Sequence, residues 1–115
     1  MRLDQQEGTR LVRVPLAGGP EHPIAIQGDM RPAGGVLNPS AVGKDGRILM
    51  WVAPPASWFM PAGILDPDTG RIQTIQIGYD ADMPSPGWTP DGRIVVLAYP
   101  LRSTLWRFRP ERVRK

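Results

Sequence analysis

The chain contains no cysteine and only one histidine among its 115 residues. The missing cysteine excludes a disulfide framework, a thiolate nucleophile and a cysteine-based zinc site, and it leaves the redox compartment open. His22 alone does not assemble a zinc site or a general-base pair, so we expect an exposed strand residue there. No serine lies in the Gly-x-Ser-x-Gly setting of a hydrolase nucleophile. These absences predict no catalytic residue, no metal, no cofactor and a non-enzymatic protein.

Helical periodicity with capping residues is also missing throughout the chain. Residues 48–65 carry no charge and are long enough to cross a bilayer. Three prolines, at positions 54, 55 and 61, would break a helix there, so we expect strands and a loop and no membrane span. The charged residues 1–7 are not followed by an apolar stretch, which predicts no signal peptide. Periplasmic and cytoplasmic localisation both stay open.

Proline and glycine are abundant instead, with 14 and 13 residues, beside a hydrophobic content of 41%. Apolar runs of this kind argue against disorder, and closely spaced turns explain the composition. The formal net charge is +3, and the excess lies in the last nine residues. We interpret this basic tail as solvated, because no recognised nucleic-acid module accompanies it.

Short β-rich runs separated by turn residues predict an all-β fold. Two strands, residues 10–16 and 22–26, surround a Gly-Gly turn, and further strands follow at residues 40–42, 47–52, 62–65, 71–77, 85–89, 93–99 and 104–109. The segments between them, residues 28–38 and 78–83 among others, are predicted loops. Apolar strand residues are expected to face a neighbouring layer while Arg13 points outward.

A tetrapeptide is present twice at an offset of 46 residues. Asp-Gly-Arg-Ile occupies residues 45–48 and again residues 91–94. Each copy follows a Pro-Ser pair and precedes an apolar run, and such a period is typical of stacked units such as propeller blades. We therefore expect an equivalent hairpin turn at each copy.

These segments, with Trp88-x-Pro90-Asp91-Gly92 as the most typical one, resemble the TolB-type, WD-like β-propeller repeats of bacteria over residues 9–110. The copy at residues 38–48 departs from the pattern, having Val42 and Lys44 in place of tryptophan and proline. The resemblance implies a single partial propeller of four-stranded antiparallel blades, spanning residues 1–115. Residues 9–26 would form strands c and d of a first blade, residues 39–77 a complete blade, residues 84–110 strands a, b and c of a last blade, and residues 111–115 the basic tail.

Function is expected at the loops of such a module. Trp58 and Phe59 fall in the loop between strands b and c, and Tyr79 falls in the loop at residues 78–83. Exposed aromatic clusters of this kind mark interaction sites. Asp80 and Asp82, with Asp29, are candidates for attracting a cation or basic ligand, although solvated carboxylates are the simpler interpretation.

Other motifs favour structural roles. Trp51, Trp88 and Trp106 lie on predicted strands and are expected to pack between blades. The Asp-Pro-Asp-Thr-Gly segment at residues 66–70 resembles half of a calcium loop, yet lacks the glutamate that completes it, so a hairpin turn is favoured.

The sequence thus predicts a module for protein interaction or ligand sensing, with a protein partner or small ligand on the loop face. The alternative is the propeller portion of a multidomain enzyme, a bacterial serine/threonine protein kinase or a prolyl-oligopeptidase-like peptidase, because the resemblance extends to both classes. Unpaired sheet edges predict either missing blades of a longer chain or a homo-oligomer.

Overall fold

The computed structural model describes residues 10–34, 37–100, 106, 107 and 109. Ten short strands and no helix are found within them. The strands are β1 (Val12–Arg13), β2 (His22–Pro23), β3 (Arg31–Pro32), β4 (Ile48–Ala53), β5 (Ala62–Leu65), β6 (Ile72–Thr74), β7 (Ala81–Asp82), β8 (Gly87–Trp88), β9 (Ile94–Val95) and β10 (Tyr99–Pro100). The all-β class is therefore confirmed for this part of the chain.

A curled antiparallel sheet of four strands, in the order β3-β4-β5-β6, forms the centre. Consecutive strands are neighbours, as expected where short turns connect them. The turn between β5 and β6 is closed by the Gly70 amide, which donates to the Asp66 carbonyl at 2.8 Å. Gly70 has a φ of 75°, a conformation that glycine adopts without steric strain.

The amino-terminal hairpin of β1 and β2 lies against one face of this sheet. Leu11, Ile24 and Ile26 pack on a buried cluster of sheet residues that comprises Ile48, Met50, Val52 and Leu65. The Gln27 amide donates to the Gly70 carbonyl at 2.8 Å, which joins the hairpin to the β5-β6 turn. These hairpin side chains are partly buried, so each contributes less than the roughly 1.5–3 kcal/mol of a fully buried aliphatic residue.

Residues 81–98 lie against the opposite face of the sheet. Ala81 and Met83 form a buried cluster with Ala62 of β5, and Val96 and Ala98 pack against it. In register, Ala62 is opposite Trp51. Directly opposed residues of an antiparallel pair share a face, so Trp51 lies on the side that residues 81–98 cover.

The two Asp-Gly turns have the same backbone geometry. Gly46 and Gly92 each have a φ of 83°. The amide of Gly46 donates to the Gly43 carbonyl, and that of Gly92 donates to the Thr89 carbonyl, both at 3.0 Å. Val42 is bridged to Ile48, and Trp88 is paired with Ile94, at the same offset of 46 residues.

Two strands lie where loops are predicted. β3 falls within residues 28–38 and pairs with the end of β4. β7 falls within residues 78–83 and pairs with β10. Both were missed because a two-residue strand carries no periodicity, and its pairing is decided by a distant partner.

Two further predictions about side chains are wrong. Trp106 is exposed and lies outside any described strand, whereas packing between blades was expected. Val14 is also exposed, although it follows the predicted inward alternation. Most of the predicted strand at residues 104–109 and the whole basic tail at residues 111–115 lie outside the described residues.

Candidate functional site

The loop between β4 and β5, residues 54–61, presents Trp58 to solvent. Its side chain is 93% exposed, while Phe59 next to it is half-buried. The Ser57 hydroxyl accepts a hydrogen bond from the Phe59 amide at 3.1 Å and donates to the Phe59 carbonyl at 3.0 Å. Ala56 has a φ of 57°, an uncommon conformation for a residue with a side chain. These contacts order the backbone on either side of the exposed indole.

Met60 connects this loop to strand β7 and the residue after it through hydrogen bonds made by its backbone. Its amide donates to Asp82 Oδ1 at 2.8 Å, and its carbonyl accepts from the Met83 amide at 3.0 Å. The Trp51 indole nitrogen donates to the same carbonyl. Asp82 is half-buried in β7, which pairs with β10, so it lies in a strand and not in the predicted loop. Its Oδ1 is committed to the Met60 amide, which gives this carboxylate a structural contact.

Tyr79 and Asp80 are exposed on the turn that precedes β7. Because Met60 is bonded to Asp82, the loop carrying Trp58 and the turn carrying Tyr79 lie at the same end of the molecule. Asp29 is exposed in the segment before β3. The structure gives no contact between Asp29 and either Asp80 or Asp82 within the described residues.

A concave region lies between the two Asp-Gly turns. This cleft, of about 520 Å³, is lined by Ser40, Val42, Gly43, Lys44, Asp45, Arg47, Trp88, Thr89, Pro90 and Gly92. The Arg47 guanidinium lies 5.2 Å from the centre of the Trp88 ring, within cation–π range. The indole nitrogen of Trp88 is buried and has no hydrogen-bond partner among the described residues. Sequence reasoning predicted packing for Trp88 and did not find this cleft, because its two walls come from turns 46 residues apart.

The Asp45 side chain at the rim of the cleft is held by Arg47. Arg47 Nε lies 2.6 Å from Asp45 Oδ2. This side-chain hydrogen bond, together with the bond from the Arg47 amide, lowers the pKa of Asp45 below its ordinary value. Asp45 is therefore ionised at neutral pH and contributes a fixed negative charge to the rim.

The remaining candidates have structural surroundings. His22 is exposed in β2. Residues 66–70 form the hairpin turn favoured above, in which Asp66 Oδ1 accepts from the Asp68 amide at 2.9 Å. Within the described ranges, no three side chains of metal-ligating type gather into a possible site. Nor does that part of the chain contain a helix that is long and apolar enough to span a bilayer.

Comparison with known proteins found no matching family model, curated protein or solved structure. The candidate surface therefore has to be judged on its own geometry.

Proposed function

We propose that the chain is a non-catalytic module of the β-propeller type whose loop surface binds a protein partner. We define the loop surface as Trp58, Phe59, Tyr79 and Asp80. The observation that carries the proposal is the 93% exposure of Trp58 on a loop whose backbone is hydrogen-bonded on both sides. A large aromatic side chain exposed on a loop with an ordered backbone resembles the aromatic anchors of protein interfaces.

The arrangement of the strands supports the propeller part of the proposal. The central sheet is a four-stranded antiparallel meander, and further β-structure lies on each of its two faces. Blades of a propeller stack in this manner. The loop after β4 and the turn before β7 also share one end of the molecule, as the loops b-c and d-a of neighbouring blades do.

A protein is favoured over a small ligand as the partner because Trp58 and Tyr79 are exposed aromatic side chains, at 93% and 56%. Small-molecule sites are usually concave, and they enclose most of the ligand. Trp58 supplies a broad rigid contact area, and its indole N–H is available at the rim of an interface.

The test is site-specific photo-crosslinking. A photoreactive phenylalanine analogue replaces Trp58 in one sample and Leu16, which is fully exposed in the amino-terminal hairpin turn, in a control. We expect a discrete cross-linked protein only from position 58. Excess unlabelled wild-type protein should suppress it, whereas excess of a Trp58→Ser/Phe59→Ser variant should not. The same cross-linked products from both positions, or equal suppression by the variant, would refute the proposed partner surface.

A further inference from the structure

Strand β4 has two covered faces, and each is covered by a different part of the chain. Ile48, Met50 and Val52 face the amino-terminal hairpin. On the other face, Leu49 is opposite Ile64 and Trp51 is opposite Ala62, which contacts Ala81 and Met83. Leu49 is completely buried as a result. This contact, between the Leu49 face of β4 and residues 81–98, is the one through which the first Asp-Gly hairpin packs on the second.

Among the described residues, nothing covers the corresponding face of the last strands. Val96 and Ala98 point to the central sheet. On the opposite side, Val95, Leu97 and Tyr99 are 63%, 59% and 57% exposed. We call these three residues the back face. Val95 stands 46 residues after the fully buried Leu49, so the same position of two locally similar hairpins is buried in one and exposed in the other.

A second surface that no described residue covers lies beside the amino-terminal hairpin. Val42 is 61% exposed and Leu37 is also exposed. Both line a groove of about 720 Å³ whose apolar part includes Leu11, Ile24 and Ile48. Its charged rim consists of Arg13, Asp45, Arg47, Asp66 and Asp68. We call this the front groove. Trp88, which stands 46 residues after Val42, is half-buried against Gly43 and Arg47 of the preceding hairpin.

The two uncovered surfaces are the two halves of one type of contact. Inside the chain, the face of β4 that carries Leu49 is turned to residues 81–98, which contain Trp88. The back face corresponds to the Leu49 face of β4 but has no partner among the described residues. The front groove with Val42 corresponds to the Trp88 side of the same contact and likewise has no partner there. Exposed apolar strand faces of this kind are typical of interaction sites, and joining the two would remove both from water.

We infer that a second copy of this chain docks its back face into the front groove of the first. This inference rests on the propeller-type stacking of the proposed function, because it continues that stacking from one chain to the next. The contact joins different surfaces of the two copies, so it is heterologous. Each added copy presents a new back face, and assembly proceeds until a ring closes or a filament forms.

The first experiment measures the mass of the full chain by light scattering over a wide concentration range. Wild-type protein should have the mass of several 12.7 kDa chains. Val95→Asp/Leu97→Asp removes the back face, and Val42→Asp removes the apolar floor of the front groove. We expect each variant to have the mass of one chain, while the matched control Leu16→Asp, at another exposed leucine, assembles like the wild type. Circular dichroism checks that each variant keeps its β-structure.

Mixing the two defective variants distinguishes a head-to-tail contact from a symmetric one. The Val42→Asp chain keeps its back face, and the Val95→Asp/Leu97→Asp chain keeps its front groove. Their mixture should therefore form a complex of two chains that grows no further. If Val42→Asp alone still pairs, the back face binds itself and the inference is wrong.

Cross-linking supplies a readout that does not depend on charged substitutions. The native chain has no cysteine, so Val42→Cys and Leu97→Cys can be introduced singly without background. Under oxidation, a mixture of the two proteins should give mainly the mixed disulfide dimer. A wild-type chain that stays a folded monomer at every concentration would overturn the inference and would mean that another polypeptide covers these faces. The cross-linking test at Trp58 would be unaffected by that result, so the two proposals fail separately.

Discussion

In the first Asp-Gly hairpin, strand β4 lies between two layers, with the amino-terminal hairpin on one side and residues 81–98 on the other. In the second, residues 94–99 are covered on one side only by the part of the chain that the structure describes. The turns themselves have the same φ and the same hydrogen-bond lengths. Turn geometry is therefore set by the local sequence, whereas burial of the strand that follows is set by its neighbours.

The largest expected difference concerns the strand position that follows each turn. Leu49→Ala removes a fully buried side chain and should lower the free energy of unfolding by about 2–5 kcal/mol. Val95→Ala, on the exposed back face, should change it by no more than about 0.5 kcal/mol in the monomer. Urea denaturation of dilute protein measures both. Equal losses would mean that the two strands have equivalent surroundings and that the comparison is wrong.

The turn glycines should respond alike. Gly46 and Gly92 both have a φ of 83° with open space where a side chain would extend. Gly46→Val and Gly92→Val should each destabilise the protein by about 1–3 kcal/mol, because a β-branched residue is strained in this conformation. Thermal unfolding of the two variants makes the comparison. A neutral result at one position alone would show that its turn relaxes into another geometry.

Substitution of the arginine that follows each turn should also affect the two hairpins differently, with a smaller difference in stability. Arg47 lies over the Trp88 ring, while the Arg93 side chain is 84% exposed. Both variants, Arg47→Met and Arg93→Met, lose an exposed ion pair with the turn aspartate. Arg47→Met should be the less stable by about 0.5–1 kcal/mol, because it loses the contact with the Trp88 ring and the shorter of the two ion pairs. The prediction fails if the unfolding midpoints coincide.

The smallest effect is on Asp45, whose pKa is lowered by Arg47. A carboxyl with a depressed pKa in the folded protein stabilises it above its ordinary pKa. That contribution is lost as the pH falls through the folded-state value. NMR titration should find the pKa of Asp45 below the usual range in wild-type protein, and raised toward it in Arg47→Met. An unchanged titration in the variant would assign the shift to another cause. The effect on stability is slight because both side chains are exposed.

The turns and the longer strands are predictable from sequence because their signals are local. Asp-Gly pairs require a positive φ, and the uncharged run after residue 47 favours a strand. Strands β3 and β7 are not predictable in this way. Each contains two residues, and each is a strand only because the end of another strand pairs with it.

In the candidate site too, some features follow from the local sequence and others depend on distant partners. The exposed position of Trp58 follows from its place in a Pro-rich loop between two strands. The bond between Asp82 and Met60 joins residues 22 positions apart, and no pattern in the sequence marks it. The exposure of Val95, Leu97 and Tyr99 is equally hidden, because an apolar run of that length is typical of a strand buried on both faces.

The contact at Gly70 has a consequence for the order in which the molecule assembles. A side-chain carbon at this position would lie 1.9 Å from the Ala25 carbonyl oxygen, so the amino-terminal hairpin rests directly on the backbone of the β5-β6 turn. The hairpin can therefore dock in this position only once that turn has formed. The Gln27 amide donates a hydrogen bond to the Gly70 carbonyl. Its hydrogen exchange therefore reports the opening of the contact between hairpin and turn separately from the opening of the central sheet.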